Sequence, residues 1–147
     1  MHFEGKFDSR ADPARLFGTL MDPKELSGCM PGLQKLNVTS STDFTAVVKA
    51  GVGAIKGDFA IRFTIADKRE PSHAKLIGRG TGMGSAVEIE ALMDISPAPG
   101  GGSSMKWAAD ARVGGKLASL GQRLLEGQAE KIVREMFGCL RSKFDQA

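Results

Sequence analysis

Residues 114–144 read GGKLASLGQRLLEGQAEKIVREMFGCLRSKF. Within them Leu117, Leu120, Leu124, Leu125, Gln128, Ile132, Met136, Leu140 and Phe144 recur at three- and four-residue steps, the period of a helix with one apolar stripe. About 28 residues of helix span ~42 Å at 1.5 Å per residue, enough to cross a small sheet. Everything before Gly114 determines what that stripe must cover.

Between Leu33 and Val113 the dominant period is two. Phe44, Ala46, Val48 and Ala50 share one face, as do Phe59, Ile61, Phe63 and Ile65. Val87, Ile89, Ala91, Met93 and Ile95 alternate with Glu88, Glu90 and Asp94, and Met105, Trp107, Ala109, Ala111 and Val113 with Lys106, Asp110 and Arg112. Such alternation predicts an antiparallel sheet with one face in a core and one in water. Glycine and proline clusters near residues 51–53, 71, 82 and 97–102 separate the runs. At the start, residues 2–9 alternate as a further strand. Asp12-Pro13 and Asp22-Pro23 then each open a short helix, an N-cap followed by the residue suited to the first helical position. The expected fold is α+β: a curved antiparallel sheet of about seven strands wrapped around a long C-terminal helix, with two short helices after strand one. One domain occupies residues 1–147, and a cavity is expected where the sheet curls away from the helix.

Composition narrows the function. Among 147 residues, 41% are hydrophobic and 25% charged, with no apolar run near the roughly 20 residues of a membrane-spanning helix. A formal net charge of +3, without a basic block interleaved with aromatics, argues against nucleic acid as a partner. Tyrosine is absent and only His2 and His73 represent histidine, neither with an evident carboxylate or nucleophile partner, so no catalytic residues are expected and the protein is read as a non-enzyme. No cluster qualifies as a metal site. Cys29 and Cys139 lie 110 positions apart and form neither a CxxC clip nor a disulfide framework; two packed thiols in a reducing cytosol are expected. The N-terminal residues lack the apolar core of a signal peptide.

Four segments carry a resemblance: Cys29-Met30-Pro31-Gly32, Gly51-Val52-Gly53-Ala54-Ile55-Lys56-Gly57, the glycine-alternating residues 78–85, and Val113-Gly114-Gly115-Lys116-Leu117-Ala118-Ser119-Leu120-Gly121. With them the chain resembles the carbon monoxide dehydrogenase G-subunit family of the START-like (SRPBCC) helix-grip superfamily. The resemblance implies an accessory protein for an aerobic-type molybdenum-containing carbon monoxide dehydrogenase or related hydroxylase. It would hold a hydrophobic molecule, with a respiratory quinone the leading candidate, and couple the enzyme to the membrane. A cytoplasmic location, peripheral on the inner face of the cell membrane, goes with that role. Longer members add an apolar C-terminal anchor; here the chain ends at Ala147, and a domain without that mode of attachment is expected. The alternatives are a recruitment or assembly factor that uses no ligand, and a generic lipid-binding or cyclase-like START-type protein.

Inward alternation nominates Phe17, Leu20, Met30, Phe59, Ile61, Phe63, Met83, Val87, Ile89, Trp107, Leu120, Leu124 and Ile132 as ligand contacts, any of which serves equally well as ordinary core. Flexible methionines and stacking aromatics suit a soft, planar, apolar guest. Residues 78–85 resemble a glycine-rich phosphate loop but run on as a strand instead of opening a helix. Their structural reading is a hairpin or bent strand; their functional reading is room for a flat ring beside the sheet. Val52, Ile55 and Lys56 form a hairpin tip that could contact a membrane or partner. On the last helix Lys116, Arg123, Lys131, Arg134, Arg141 and Lys143 outnumber Glu126, Glu130 and Glu135, a bias toward acidic surfaces or anionic head groups.

Overall fold

Alternation puts Phe3, Gly5 and Phe7 on one side of the first strand, β1 (His2–Ser9), and the computed structural model, which describes residues 1–52 and 54–145, buries Phe7 there. Two short helices follow, α1 (Pro13–Leu20) and α2 (Pro23–Ser27). Each begins as its sequence demands. The Arg15 amide donates to the Asp12 carboxylate at 2.8 Å and the Lys24 amide to Asp22 at 3.0 Å, with proline in the first turn, where an amide would have no helical partner. Leu16, Phe17, Leu20 and Leu26 are buried beneath them.

Six more strands complete the sheet: β2 (Leu33–Val38), β3 (Asp43–Val52), β4 (Ile55–Arg69), β5 (His73–Gly82), β6 (Ser85–Pro97) and β7 (Ser103–Gly115). Their order is β1-β7-β6-β5-β4-β3-β2, antiparallel throughout, so each strand from β2 to β7 lies beside its sequence neighbour and β1 closes onto β7. Val52 pairs with Ile55, as a hairpin there requires. Gly53, within that expected turn, and the side chain of Val52 lie outside the described residues. Met83 (φ 55°) and Gly84 (φ 71°) form the two-residue turn between β5 and β6.

The long helix differs from expectation at its start. Residues Lys116–Leu120 form a separate 3₁₀ turn, and α3 (Gln122–Asp145) begins only after it, 24 residues or ~36 Å long. Glycine causes the break. Gly115 (φ 80°) presses on the Gly84 carbonyl, where no side chain fits, and Gly121 (φ 94°) adopts a left-handed conformation that no α-helix continues. The Leu117 amide donates to the buried Ser85 hydroxyl at 3.0 Å, which fastens the turn to the sheet.

The cysteines also depart from expectation. Cys29, just past α2, and Cys139, in the second half of α3, form a disulfide across 110 positions instead of standing as two free thiols. Their closeness follows from α3 crossing back over the chain's first quarter. The argument for a reducing compartment loses its premise with them.

Cross-linking a loop of this length restricts the unfolded chain strongly. Replacing both residues (Cys29→Ala with Cys139→Ala) is expected to lower stability by about 2–5 kcal/mol, read from denaturant midpoints with and without reductant. Reductant should leave the double variant's midpoint unchanged.

Candidate functional site

Two apolar clusters hold α3 at its ends. Near its C-terminus Leu140 and Phe144 are buried with Phe7, Leu16, Phe17, Leu20, Phe44 and Phe63. Phe137 joins them, its ring centroid 5.3 Å from Phe7 and 5.0 Å from Trp107. Gly5 makes the indole's position possible, since a Cβ there would lie 2.9 Å from Trp107. Near the helix N-terminus Phe59 and Leu117 are buried among Ile55, Met83, Leu120 and Leu125. Val48 and Ile61 touch both clusters.

Between the clusters the sheet stays unsealed. The inward row of β6 and β7 presents Val87, Ile89, Ala91, Ala109, Ala111 and Val113, every one only half-buried. On α3, Ala129, Ile132 and Val133 are also half-buried, and they lie four or seven positions before Met136, Phe137 and Leu140, on the same helical face. The α3 backbone comes closest to the sheet at β1 and β3, near its two edges. A helix so placed bridges the curved sheet and leaves the apolar inward row of β6 and β7 only half covered, a cleft beside α3. Three of the six residues on its floor are alanines, whose small side chains leave depth.

Of the expected contacts, Val87, Ile89 and Ile132 line this cleft. Trp107 stands toward one end of it, while Phe59, Met83 and Leu120 mark the other, with Leu124 beside them at 45% exposure. Ile61 spans the two clusters. Phe17, Leu20 and Phe63 lie in the sealed core, Phe63 stacked on Phe44 with centroids 5.1 Å apart, and Met30 packs against that core. Ile55 is half-buried in the second cluster and Lys56 is exposed. The alanine row is absent from the residues that alternation nominated; its signal in the sequence is the run of small inward residues on two adjacent strands. The glycine row leaves no room for a ring. A Cβ on Gly78 would lie 2.9 Å from the Phe63 ring and one on Gly80 2.8 Å from Ile61, so the chain's own side chains fill that space.

Both histidines have carboxylate partners, contrary to the sequence reading. His2 Nδ1 lies 2.8 Å from Asp110 and Nε2 3.2 Å from Glu4; His73 Nδ1 lies 2.8 Å from Asp94. The pairs with Asp110 and Asp94 join adjacent strands in register, His2 opposite Asp110 and His73 opposite Asp94. They occupy the outward parity of the sheet, opposite to the cleft. Hydrogen bonding to Asp110, then to Glu4, raises the His2 pKa above 6.5. Among the described residues, no group of three or more histidine, cysteine or acidic side chains could hold a metal ion, and no helix is long and apolar enough to cross a membrane. Two open hollows, about 570 and 440 Å³, lie outside this cleft around α1 and α2, the larger spanned by a 2.7 Å ion pair between Lys143 and Glu25.

Residues 5–145 match the model of the carbon monoxide dehydrogenase G-subunit (CoxG) family. The crystal structure of a conserved protein from Geobacillus kaustophilus is similar at 27% identity and a TM-score of 0.90, over 99% of this chain and 96% of that one. A START superfamily protein from Mycobacterium smegmatis aligns over 99% and 97% of the two chains at 8% identity and a TM-score of 0.73. The Zhui aromatase/cyclase from Streptomyces sp. R1128 aligns over 99% and 94% at 11% identity and a TM-score of 0.69. The last two likenesses show the START-like fold alone. No curated protein matches the chain.

A raised histidine pKa has a defined consequence for stability. The His2 contribution is present in full below about 6.5 and is lost as pH rises through the raised folded-state value. By NMR, His2 should titrate above 6.5, and Asp110→Asn should bring its midpoint down. A midpoint at or below 6.5 in the unsubstituted protein would contradict the pairing.

Proposed function

Because the chain belongs to the CoxG family of carbon monoxide dehydrogenase, we propose that it is a non-catalytic carrier. It holds a hydrophobic molecule, a respiratory quinone, between sheet and helix, and serves as accessory to a molybdenum-containing carbon monoxide dehydrogenase or related hydroxylase, linking it to the membrane. The observation that carries this reading is the half-buried apolar row on β6 and β7 facing α3. A sealed core would bury those six residues. Here their apolar area remains available to a guest, and covering it yields about 25 cal/mol per Å². The alanine floor suits a flat ring, and the indole of Trp107 offers a stacking surface near one end.

The same arrangement disfavours a cyclase-like role. Its histidine–carboxylate pairs project from the opposite face of the sheet, where no guest in the cleft would meet them. Proton transfer requires hydrogen-bond reach between the group and the reacting atom.

Organic extraction of the purified protein followed by mass spectrometry should recover a quinone-like lipophile. Quinone titration should quench Trp107 saturably, and Ala111→Phe, which fills the cleft floor, should weaken binding at least about tenfold, ~1.4 kcal/mol, while the fold persists. Absence of both lipophile and saturable quenching would remove the carrier reading. Unchanged quenching in Ala111→Phe would put the guest elsewhere.

A further inference from the structure

Among the described side chains of α3, the charged ones stand out in water with two exceptions. Arg123, Glu130, Lys131, Arg134, Glu135 and Arg141 are exposed, whereas Glu126 and Lys143 are half-buried. Lys143 has its partner in Glu25. Glu126 has no partner of opposite charge: among the described residues no cation lies within ion-pairing distance of it. Its Oε1 accepts a 2.8 Å hydrogen bond from Gln122 Nε2, and among the same residues its Oε2 accepts from no protein donor.

The helix period determines what that carboxylate faces. Glu126 lies seven, eleven and eighteen positions before Val133, Phe137 and Phe144, each close to a whole number of turns, so the four share one stripe. The stripe faces β1 and β7, because the Phe137 ring packs 5.0 Å from Trp107 and 5.3 Å from Phe7, and Phe144 meets Phe7 at 6.4 Å. From Phe137 back to Glu126 is about 16 Å along the helix. β7 runs the opposite way, since its end feeds the 3₁₀ turn from which α3 starts back. At about 3.3 Å per residue, the same distance beyond Trp107 is about five residues of strand, which reaches Ala111 and Val113 on the cleft floor. One carboxylate therefore stands over an apolar floor. When ionised it accepts hydrogen bonds and donates none. The two redox forms of a quinone differ in just this respect: the oxidised ring offers two carbonyl acceptors, the quinol two hydroxyl donors. Against a carbonyl the carboxylate sets lone pairs on lone pairs; against a hydroxyl it gains a charge-assisted hydrogen bond.

We propose that Glu126 makes the cleft selective for the reduced form of its guest, the quinol, through a hydrogen bond from a ring hydroxyl to Oε2. The inference rests on the carrier reading, and adds which redox form is held and which side chain chooses it. The Gln122 amide steadies the carboxylate by engaging its other oxygen. Reduction of a bound quinone adds two electrons, from the dehydrogenase, and two protons, from solvent. Tighter binding of the product raises the potential of the bound couple, by about 30 mV per tenfold of preference when two electrons are transferred. A quinone held here thus takes electrons more readily than the same quinone free, as an acceptor presented to a dehydrogenase should.

The test is calorimetric titration of the full chain with decylubiquinone and, without oxygen, with decylubiquinol. The quinol should bind at least about tenfold more tightly, the order of one hydrogen bond to a charged acceptor. Glu126→Gln keeps the side chain's size but presents an amide that can donate to a carbonyl. It should weaken quinol binding about tenfold, leave the oxidised form bound as tightly or more so, and bring the two affinities together. Redox titration of the bound quinone should place its midpoint about 30 mV above that of the same quinone in detergent, a difference the variant should lose. Glu130→Gln, one turn further on and exposed, should change neither affinity. Equal affinities in the unsubstituted protein, a preference that survives Glu126→Gln, or equal weakening of both forms in that variant overturns the proposal. The carrier reading fails differently. If neither form binds, the carrier falls and the selectivity with it; if both bind equally, the carrier stands and the role of Glu126 alone is removed.

Discussion

A seven-stranded sheet is about 29 Å wide at ~4.8 Å between strands, whereas one helix with its side chains covers about 10 Å. That mismatch governs the molecule. The inward faces of all seven strands are apolar, and burying them is the main source of stability, but one long helix is all that lies across them. Curvature brings the sheet edges up to the helix, and the two short helices close one end. What remains is the strip over β6 and β7, where alanines on the sheet reduce the area that has to be covered.

Around that strip the two clusters divide the work of fixing α3. The cluster with Phe7, Phe137 and Phe144 is large and is tied by the bond between Cys29 and Cys139. The cluster around Phe59 and Leu117 is small and depends on the 3₁₀ turn, held by the Ser85 hydroxyl and bracketed by glycines at positive φ. The cleft thus has a firmly closed end and a lightly fastened one.

Much of this was readable locally. Strand alternation, the aspartate caps and the proline starts depend on residues a few positions apart, and β1, α1 and α2 form where those signals place them. The helical stripe from Leu117 onward indicated the right element but concealed its interruption, because Gly121 leaves the period intact while its φ breaks the helix. Whatever depends on register or on distant segments was not readable. Asp110 becomes a partner of His2 only once β7 is laid beside β1. The space beside Gly78 and Gly80 belongs to Phe63 and Ile61 only once β4 is beside β5. Cys29 meets Cys139 only after α3 has crossed the sheet. For the cleft, inward parity named both lining and sealed core residues, since alternation states which way a side chain points and not what stands opposite it.

The unequal fastening of α3 makes it a lever with its fulcrum near Cys139. Leu124 lies fifteen residues away along the helix, an arm of about 22 Å, so a rotation of about 10° at the fulcrum would carry Leu124 through about 4 Å. That is roughly the thickness of an aromatic ring. Small play at the cross-linked end would thus be magnified, at the opposite end, into a displacement on the scale of a planar molecule's thickness.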